Sequence, residues 1–440
     1  MRALRILALV FAILVVIAVA AVAVITQLVD ANRFKPQIEA AVRDATGQPL
    51  QLRGNIKLSF FPWLALQSEQ GEFAPPLARW QSMSVRARLV PLLRGQLRLD
   101  RIRFGGLVLQ LQKNADGTNN WSRLFAPRQR TSAPNTSAQL AGFDVTSATI
   151  DYRDLGSGTH YRAENLQVTS GAYVPGTPLD LRIAADLRLG TPAAAAGPPN
   201  LHATIAARWL MSGGKMSVSA LQATGVLHAA GLSSTGVGWQ FAAPSTTYEL
   251  ATANLALPSG AANLAGFRVA LSNAQLQAGA SASGAVHITT DGLRDSLRNL
   301  GVTLPATTDP NVLGALTTDF TFALRGGAWS IADLALNIDA TRLHGSVSAG
   351  TSAISFTLRG DHIGLDRYLP PVSVPAKPWE FPAAALRDLQ AEGSVQFDQA
   401  GYQGYTLRNA KLELVLRDGT VRSVAPQAAP QLLRKHKRKP

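Results

Sequence analysis

Seven histidines and a few closely spaced acidic pairs are the side chains of this chain that could carry proton transfer or metal chemistry. His160, His202, His228, His287, His344, His362 and His436 show no paired ligand spacing such as H-E-x-x-H, which sets two imidazoles on one side of a zinc ion. Asp151 with Asp154, and Asp361 with Asp366, could share a proton as paired carboxylates do. In β-rich chains, however, Asp at turns more often accepts backbone hydrogen bonds. No G-x-S-x-G elbow and no Gly-rich phosphate loop is present. Cysteine is absent, which removes thiol chemistry and any disulfide framework. The expectation is a protein that is not an enzyme and holds no metal and no cofactor.

The formal charge of +14 raises nucleic acid as a partner. The basic residues are nevertheless spread along the chain and concentrated only in Arg434-Lys435-His436-Lys437-Arg438-Lys439. Residues 6–29 carry no charge, and roughly 24 residues at about 1.5 Å each span a hydrocarbon core of about 30 Å. Arg2 and Arg5 precede this run, whereas Asp30 partly offsets Arg33 and Lys35 after it, so the bias places the N-terminus in the cytoplasm. A cleaved signal is the alternative, because Ala18-Val19-Ala20 and Ala21-Val22-Ala23 are small-x-small sites. The run exceeds the h-region of about 7–15 residues, which favours a retained anchor. Behind such an anchor no nucleic acid is expected, and anionic lipid headgroups are the better match for diffuse positive charge.

After the apolar run a short amphipathic helix is predicted, with Asp30 or Asn32 as cap, Pro36 in the first turn, Ile38, Ala41, Val42 and Ala45 as a stripe, and Gly47 as stop. A second helix is predicted over 291–300, with Leu293, Leu297 and Leu300 on one face. Almost everything else reads as strand. In 180–189, Leu181, Ile183, Ala185, Leu187 and Leu189 alternate with Asp180, Arg182, Ala184, Asp186 and Arg188. The same period recurs at Leu316, Phe320, Phe322 and Leu324, then beyond Gly326-Gly327 at Leu334, Leu336 and Ile338. Further matches are Leu107, Leu109 and Leu111; Ile354, Phe356 and Leu358; and Leu412, Leu414 and Leu416, which together suggest an antiparallel meander. Residues 129–139 and 191–200 read as loops.

Two arrangements satisfy this alternation. The apolar faces can close on one another as a β-sandwich. Alternatively one face stays open as an apolar trough, which the scarcity of helix favours.

The segment DANRFKPQIEAAVRDATGQPLQLRGNIKLSFFPWLAL at residues 30–66 resembles the entry segment of the AsmA family of Gram-negative envelope proteins. Leu89-Val90-Pro91-Leu92-Leu93-Arg94-Gly95 looks like its L-P-L-L-x-G step, and Asp116-Gly117-Thr118-Asn119-Asn120-Trp121 like its D-G-x-x-N-W turn. Leu300-Gly301-Val302-Thr303-Leu304-Pro305 and Leu365-Asp366-Arg367-Tyr368-Leu369-Pro370-Pro371 match as well.

The resemblance implies a mainly β fold, a long antiparallel repeating β-groove similar to chorein-type proteins, with few short helices and one N-terminal transmembrane helix. It implies an anchor over 1–29 and groove segments over 30–290 and 291–420, the second expected to be incomplete; the chain departs from the family over 421–440, where the strand period is lost and a basic, disordered tail is expected. The implied role is outer-membrane biogenesis from the inner membrane, by moving or holding phospholipid in the periplasm; the alternative is a scaffold that modulates outer-membrane protein assembly. Expected partners are membrane phospholipids and envelope proteins. Candidate acyl-chain contacts are Leu181, Ile183, Leu187, Leu189, Leu316, Phe320, Phe322, Leu324, Leu334, Leu336 and Ile338. Phe60, Phe61 and Trp63 are candidate interfacial aromatics.

Overall fold

A computed structural model describes residues 30–59, 63–88, 98–122, 139–174, 176–189, 200–230, 232, 235–277, 281–304, 306–350, 353–371, 390–417, 420–424 and 432–434. The predicted span over residues 6–29 lies outside them, as do nearly all of the two predicted loops. No helix among the described residues is long and apolar enough to cross a membrane.

The chain divides into two compact units, Met1–Leu210 and Met211–Pro440. In the first, a 3-10 turn, Ala31–Phe34, is capped by Asp30 and leads into α1 (Lys35–Thr46), which stops where Gly47 turns left-handed at φ 62°. Then come β1 (Leu50–Leu52), β2 (Ile56–Ser59), β3 (Trp63–Ser68), β4 (Gly71–Phe73), β5 (Ala78–Trp80), β6 (Ser82–Arg88), β7 (Arg98–Leu99), β8 (Ile102–Gly105) and β9 (Val108–Lys113). Longer strands follow β10 (Gln139–Leu140): β11 (Phe143–Asp154), β12 (Thr159–Ser170), β13 (Leu179–Leu189) and β14 (Asn200–Ser212).

The second unit holds β15 (Lys215–His228), β16 (Val237–Glu249), β17 (Asn254–Leu264), β18 (Phe267–Gln277) and β19 (Ser281–Thr290). Next are α2 (Leu293–Asn299), β20 (Leu316–Arg325), β21 (Ala328–Ile338), β22 (Thr341–Ala349), β23 (Ile354–Gly364) and α3 (Leu365–Tyr368). It ends with β24 (Ala391–Tyr402), β25 (Tyr405–Arg417), β26 (Thr420–Val424) and β27 (Leu432–Arg434). Consecutive strands from β15 to β23 pair antiparallel, Thr290 of β19 lying opposite Leu316 of β20. The expected boundary at residue 290 coincides with α2, which is set into the connection between these two paired strands.

The ladder is not antiparallel throughout. β10 runs parallel to β7, β11 parallel to β8 and β9, and β24 parallel to β23. Alternation fixes which face a side chain takes and is silent on strand direction; a parallel pair needs a long connection, and residues 114–138 and 365–390 supply it. Two short strands lie within the described part of the expected tail. Thr420–Val424 and Leu432–Arg434 both pair with β25, whose thirteen residues offer ladder partners whatever the period of the incoming chain. In α1, Ile38 and Val42 pack on the sheet while Ala41 of the predicted stripe is exposed.

Several long strands carry an irregularity in mid-strand. Ser147, Asn165, Asn273 and Asp333 have positive φ and sit at register shifts, and Ala220 and Asn409 are positive-φ residues passed over by their ladders. Where the register shifts, the bulge inserts one residue, twists the strand, and exchanges the parity of the residues that face either side. Thus Trp329 and Ile331 share a face with Leu334, Leu336 and Ile338, because Asp333 resets the count.

Aromatic rings on that face lie over glycines of the neighbouring strand. Phe356 stands opposite Gly393, and Phe397 opposite Gly360. A Cβ on Gly393 would meet the Phe356 carbonyl oxygen and come within 2.7 Å of its ring, and one on Gly360 would run into the Phe397 ring. Gly393→Ala is expected to cost about 1–3 kcal/mol by overpacking. It should lower the urea midpoint with an unchanged slope, whereas Gly350→Ala, where a Cβ meets nothing, should not.

A half-buried apolar sheet face as the candidate functional site

In the first unit, β13 pairs with its neighbours so that Leu181 is opposite Ser170 and Ala207, Ile183 opposite Val168 and Ile205, and Leu187 opposite Ala163 and Leu201. These residues share one face with Leu109 and Ile150. The other face carries Asp180, Asp186, Glu164, Arg188 and His202. Leu189 is paired with Tyr161 by its backbone. In the second unit Leu316, Phe320, Phe322, Leu324, Leu334, Leu336 and Ile338 also lie on one face, from the registers of β19, β20 and β21.

Their burial distinguishes a trough from a closed core. In a sandwich, large side chains would be the most buried. Here the strand residues that are fully covered are mostly small, among them Ala185, Ala203, Ala243, Ala349 and Ala400. Leu181, Ile183, Leu187, Phe320, Phe322, Leu334, Leu336 and Ile338 are half-buried, and Leu324, Leu276 and Leu412 are 41%, 45% and 44% exposed. The contacts between elements are made almost wholly by ladder neighbours. Water therefore reaches the large apolar side chains, and the alanines beneath are covered by them.

Sequence reasoning missed other members of the same face. Trp239 and Phe241 of β16, Val269 and Leu271 of β18, and Trp329 and Ile331 of β21 belong to it by register. Bulges hide them, since alternation counted through a bulge assigns half of the strand to the wrong side. Asn and Asp in apolar alternation are the available signal, because they tolerate left-handed backbone. Of the predicted interfacial aromatics, Phe60 and Phe61 lie outside the described residues, and Trp63 opens β3 opposite Arg88.

The opposite face is a lattice of ion pairs and hydrogen bonds. His202 meets Asp186 at 2.7 Å, His287 meets Asp319 at 2.6 Å and His160 meets Asp151 at 3.2 Å. Glu164 holds both Arg162 and Arg188. Such exposed pairs contribute about 0–1 kcal/mol each. The acidic pairs singled out above act as local caps: Asp154 accepts from Lys113 and the amides of Gly156 and Ser157, and Asp361 from the amides of Arg342 and His362. Hydrogen bonds from Asn165 and His202 hold the Asp186 carboxyl below its ordinary value.

Two motifs set the borders of the face. In Asp116-Gly117-Thr118-Asn119-Asn120-Trp121, Asp116 accepts from Thr118, and Asn119 accepts from the amides of Trp121 and Ser122. This folds Trp121 against Tyr152, at 5.8 Å between ring centroids, and Tyr152 stacks on Tyr161. In the second unit, Asp339 accepts from the amides of Leu313 and Gly314, both at 2.8 Å, and from the Tyr368 hydroxyl at 3.1 Å. It thereby ties the loop after α2 to α3 at the strand ends, where Val312 and Leu293 are buried.

Burial pushes the Asp339 carboxyl up, but the bonds from Leu313, Gly314, Ala315 and Tyr368 outweigh it and hold it below 3.8. Burial, then the Asp339 charge, raises the Tyr368 phenol. A depressed carboxyl contributes stability that is complete above the unfolded value of 3.8 and lost as pH falls through the folded value. The protection of the Leu313–Ala315 amides, relative to their intrinsic exchange rates, is expected to fall below pH 3.8 in the native chain. In Asp339→Asn the same amides should already be less protected at neutral pH, by about 1–2 kcal/mol, with a weaker response to acid.

The sequence profile of the AsmA family matches residues 1–396. Protein AsmA of Escherichia coli (strain K12) is 28% identical over 152 residues, 33% of this chain and 24% of that protein, so the match spans about a quarter of the relative's length. With the family profile covering most of the chain, the protein belongs to the AsmA family.

Proposed function

We propose that this protein holds or transfers phospholipid acyl chains on the apolar face of its sheet, in the service of outer-membrane biogenesis, without catalysing a reaction. One observation carries the reading: large apolar side chains lie on a continuous face in each unit and remain partly exposed. Covering the part of such a leucine that is still exposed, less than about a third of it, recovers roughly 0.5 kcal/mol. Ten such residues represent on the order of 5 kcal/mol, the low end of the net stability of a whole domain. That is enough to offset the ordering cost of a bound chain. Membership of the AsmA family supports an outer-membrane-related role.

On this reading the segment over residues 6–29 anchors the chain in the inner membrane, and the described residues lie in the periplasm. Phospholipid is the partner, and envelope proteins receive or supply it. The polar face, with its acids and bases paired across strands, faces water.

A photo-crosslinking side chain introduced into the full-length protein in cells tests the proposal. Placed at Leu187 or Phe322 it should capture phosphate-labelled lipid; at Arg182 or Thr321, on the opposite face, it should not. Equal labelling of both faces, or labelling of neither, would defeat the proposal. Leu187→Asp and Phe322→Asp should abolish the lipid adduct at a position two strands away while leaving the circular dichroism unchanged, because neither side chain is in a dry core.

A further inference from the structure

Where α1 lies over the sheet, the apolar face of the first unit ends in a cavity of about 380 Å³. Ile38 and Val42 of α1 line one side, and Leu50, Ile56, Phe73 and Phe104 line the sheet side. Ser68 is the only hydroxyl residue in the wall, and its Oγ is turned to donate to the Glu69 carbonyl. Such a lining gives water no partner, and dry apolar cavities of about 150 Å³ already accept a benzene ring. A rod-like hydrocarbon is the ligand that suits a wall of this kind.

Among the described residues, α1 is held in place over this end of the face. The helix is fastened to the sheet by side chains that satisfy strand amides: Glu39 Oε1 accepts from Leu52 at 2.7 Å, and Asn32 Oδ1 accepts from Ile56 at 3.1 Å. Leu52 and Ile56, together with Trp80, are buried beneath it. The cavity adjoins the uncovered face at Leu107, which lines it and packs both against the residues under α1 and against the cluster of Ala148, Ala163 and Ala185.

We infer that the cavity beneath α1 receives the methyl end of a single acyl chain lying along the sheet of the first unit, so that the trough is blind at this helix. The inference rests on the lipid reading above and deepens it. It fixes the direction of the chain, methyl end under α1 and carbonyl end toward Ile150 and Leu187. The ligand feature recognised is the hydrocarbon tail, whether from a phospholipid or from a free fatty acid.

Trp80 lines the cavity and serves as the reporter. The full-length protein in vesicles of phosphatidylethanolamine would be loaded with lipid brominated near either the methyl or the carbonyl end of its chains. Bromine quenches tryptophan on contact, and the Trp80 contribution is the difference between the native chain and Trp80→Phe. Methyl-end bromine is expected to quench that contribution at least twofold more than carbonyl-end bromine. Val42→Phe, which fills the cavity, should remove the effect and leave quenching of the other tryptophans intact; Ile38→Phe serves equally if Val42→Phe does not fold. A brominated fatty acid giving the same pattern assigns the pocket to the tail alone, and a pattern seen only with the phospholipid adds a headgroup requirement. Equal quenching from both bromine positions overturns the blind end. Quenching of other tryptophans without Trp80 overturns the pocket while the trough stands. If no tryptophan is quenched, both readings fall.

Discussion

Among the described residues, the structure depends on keeping one sheet face apolar in each unit without a second layer to bury it. A strand presents alternate residues to opposite sides, so a slip of one residue would turn every leucine toward the polar side. The chain holds its register through long cross-strand ladders and then changes parity at Ser147, Asn165, Asn273 and Asp333, where a left-handed residue is inserted. These bulges add twist to strands that would otherwise lie flat. The sequence compensates for each by switching its own alternation at the same place, as in Trp329 and Ile331 before Asp333 and Leu334 and Leu336 after it.

The lack of a covering layer explains the choice of small and aromatic residues. In a sandwich, large side chains interdigitate with those of the opposing sheet. Here they have only their neighbours in the same plane, and Phe356 and Phe397 settle over Gly393 and Gly360. A ring lying flat covers backbone that would otherwise be wet, and it leaves the space above the sheet open. Closure is confined to borders: α1 over Leu50, Leu52 and Ile56 at the start, and the loop held by Asp339 in the second unit.

The legibility of the fold in the sequence followed the range of the interactions concerned. The helix at residues 35–46 could be read from Asp30, Pro36 and Gly47, since capping is local. The apolar side of β13 and β20 could be read as well, because alternation is a property of one strand. Strand direction could not, and the parallel pairing of β23 with β24 depends on a connection that carries no face information. The openness of the face was undecided for the same reason: an alternating strand looks the same whether its apolar side meets another sheet or solvent. The burial of Ala185 and Ala203 beneath partly exposed Leu187 and Ile183 separates the two, and it is a property of packing that a single strand does not encode.

A sheet built this way separates stability from function in a manner a closed core does not permit. Each strand touches chiefly its ladder neighbours, so stability is close to a sum of local terms. The ladder hydrogen bonds, the turns and the few buried alanines supply those terms, while a partly exposed leucine on the face contributes only part of its full burial energy. Replacing Leu336 by a polar residue would therefore remove apolar surface from the trough without creating the buried, unpaired group that unfolds a core. Replacing Gly393, by contrast, would disturb the backbone of β23 and leave the composition of the face unchanged. The residues that would hold a ligand and the residues that hold the sheet together are thus largely different residues, even where they share a strand.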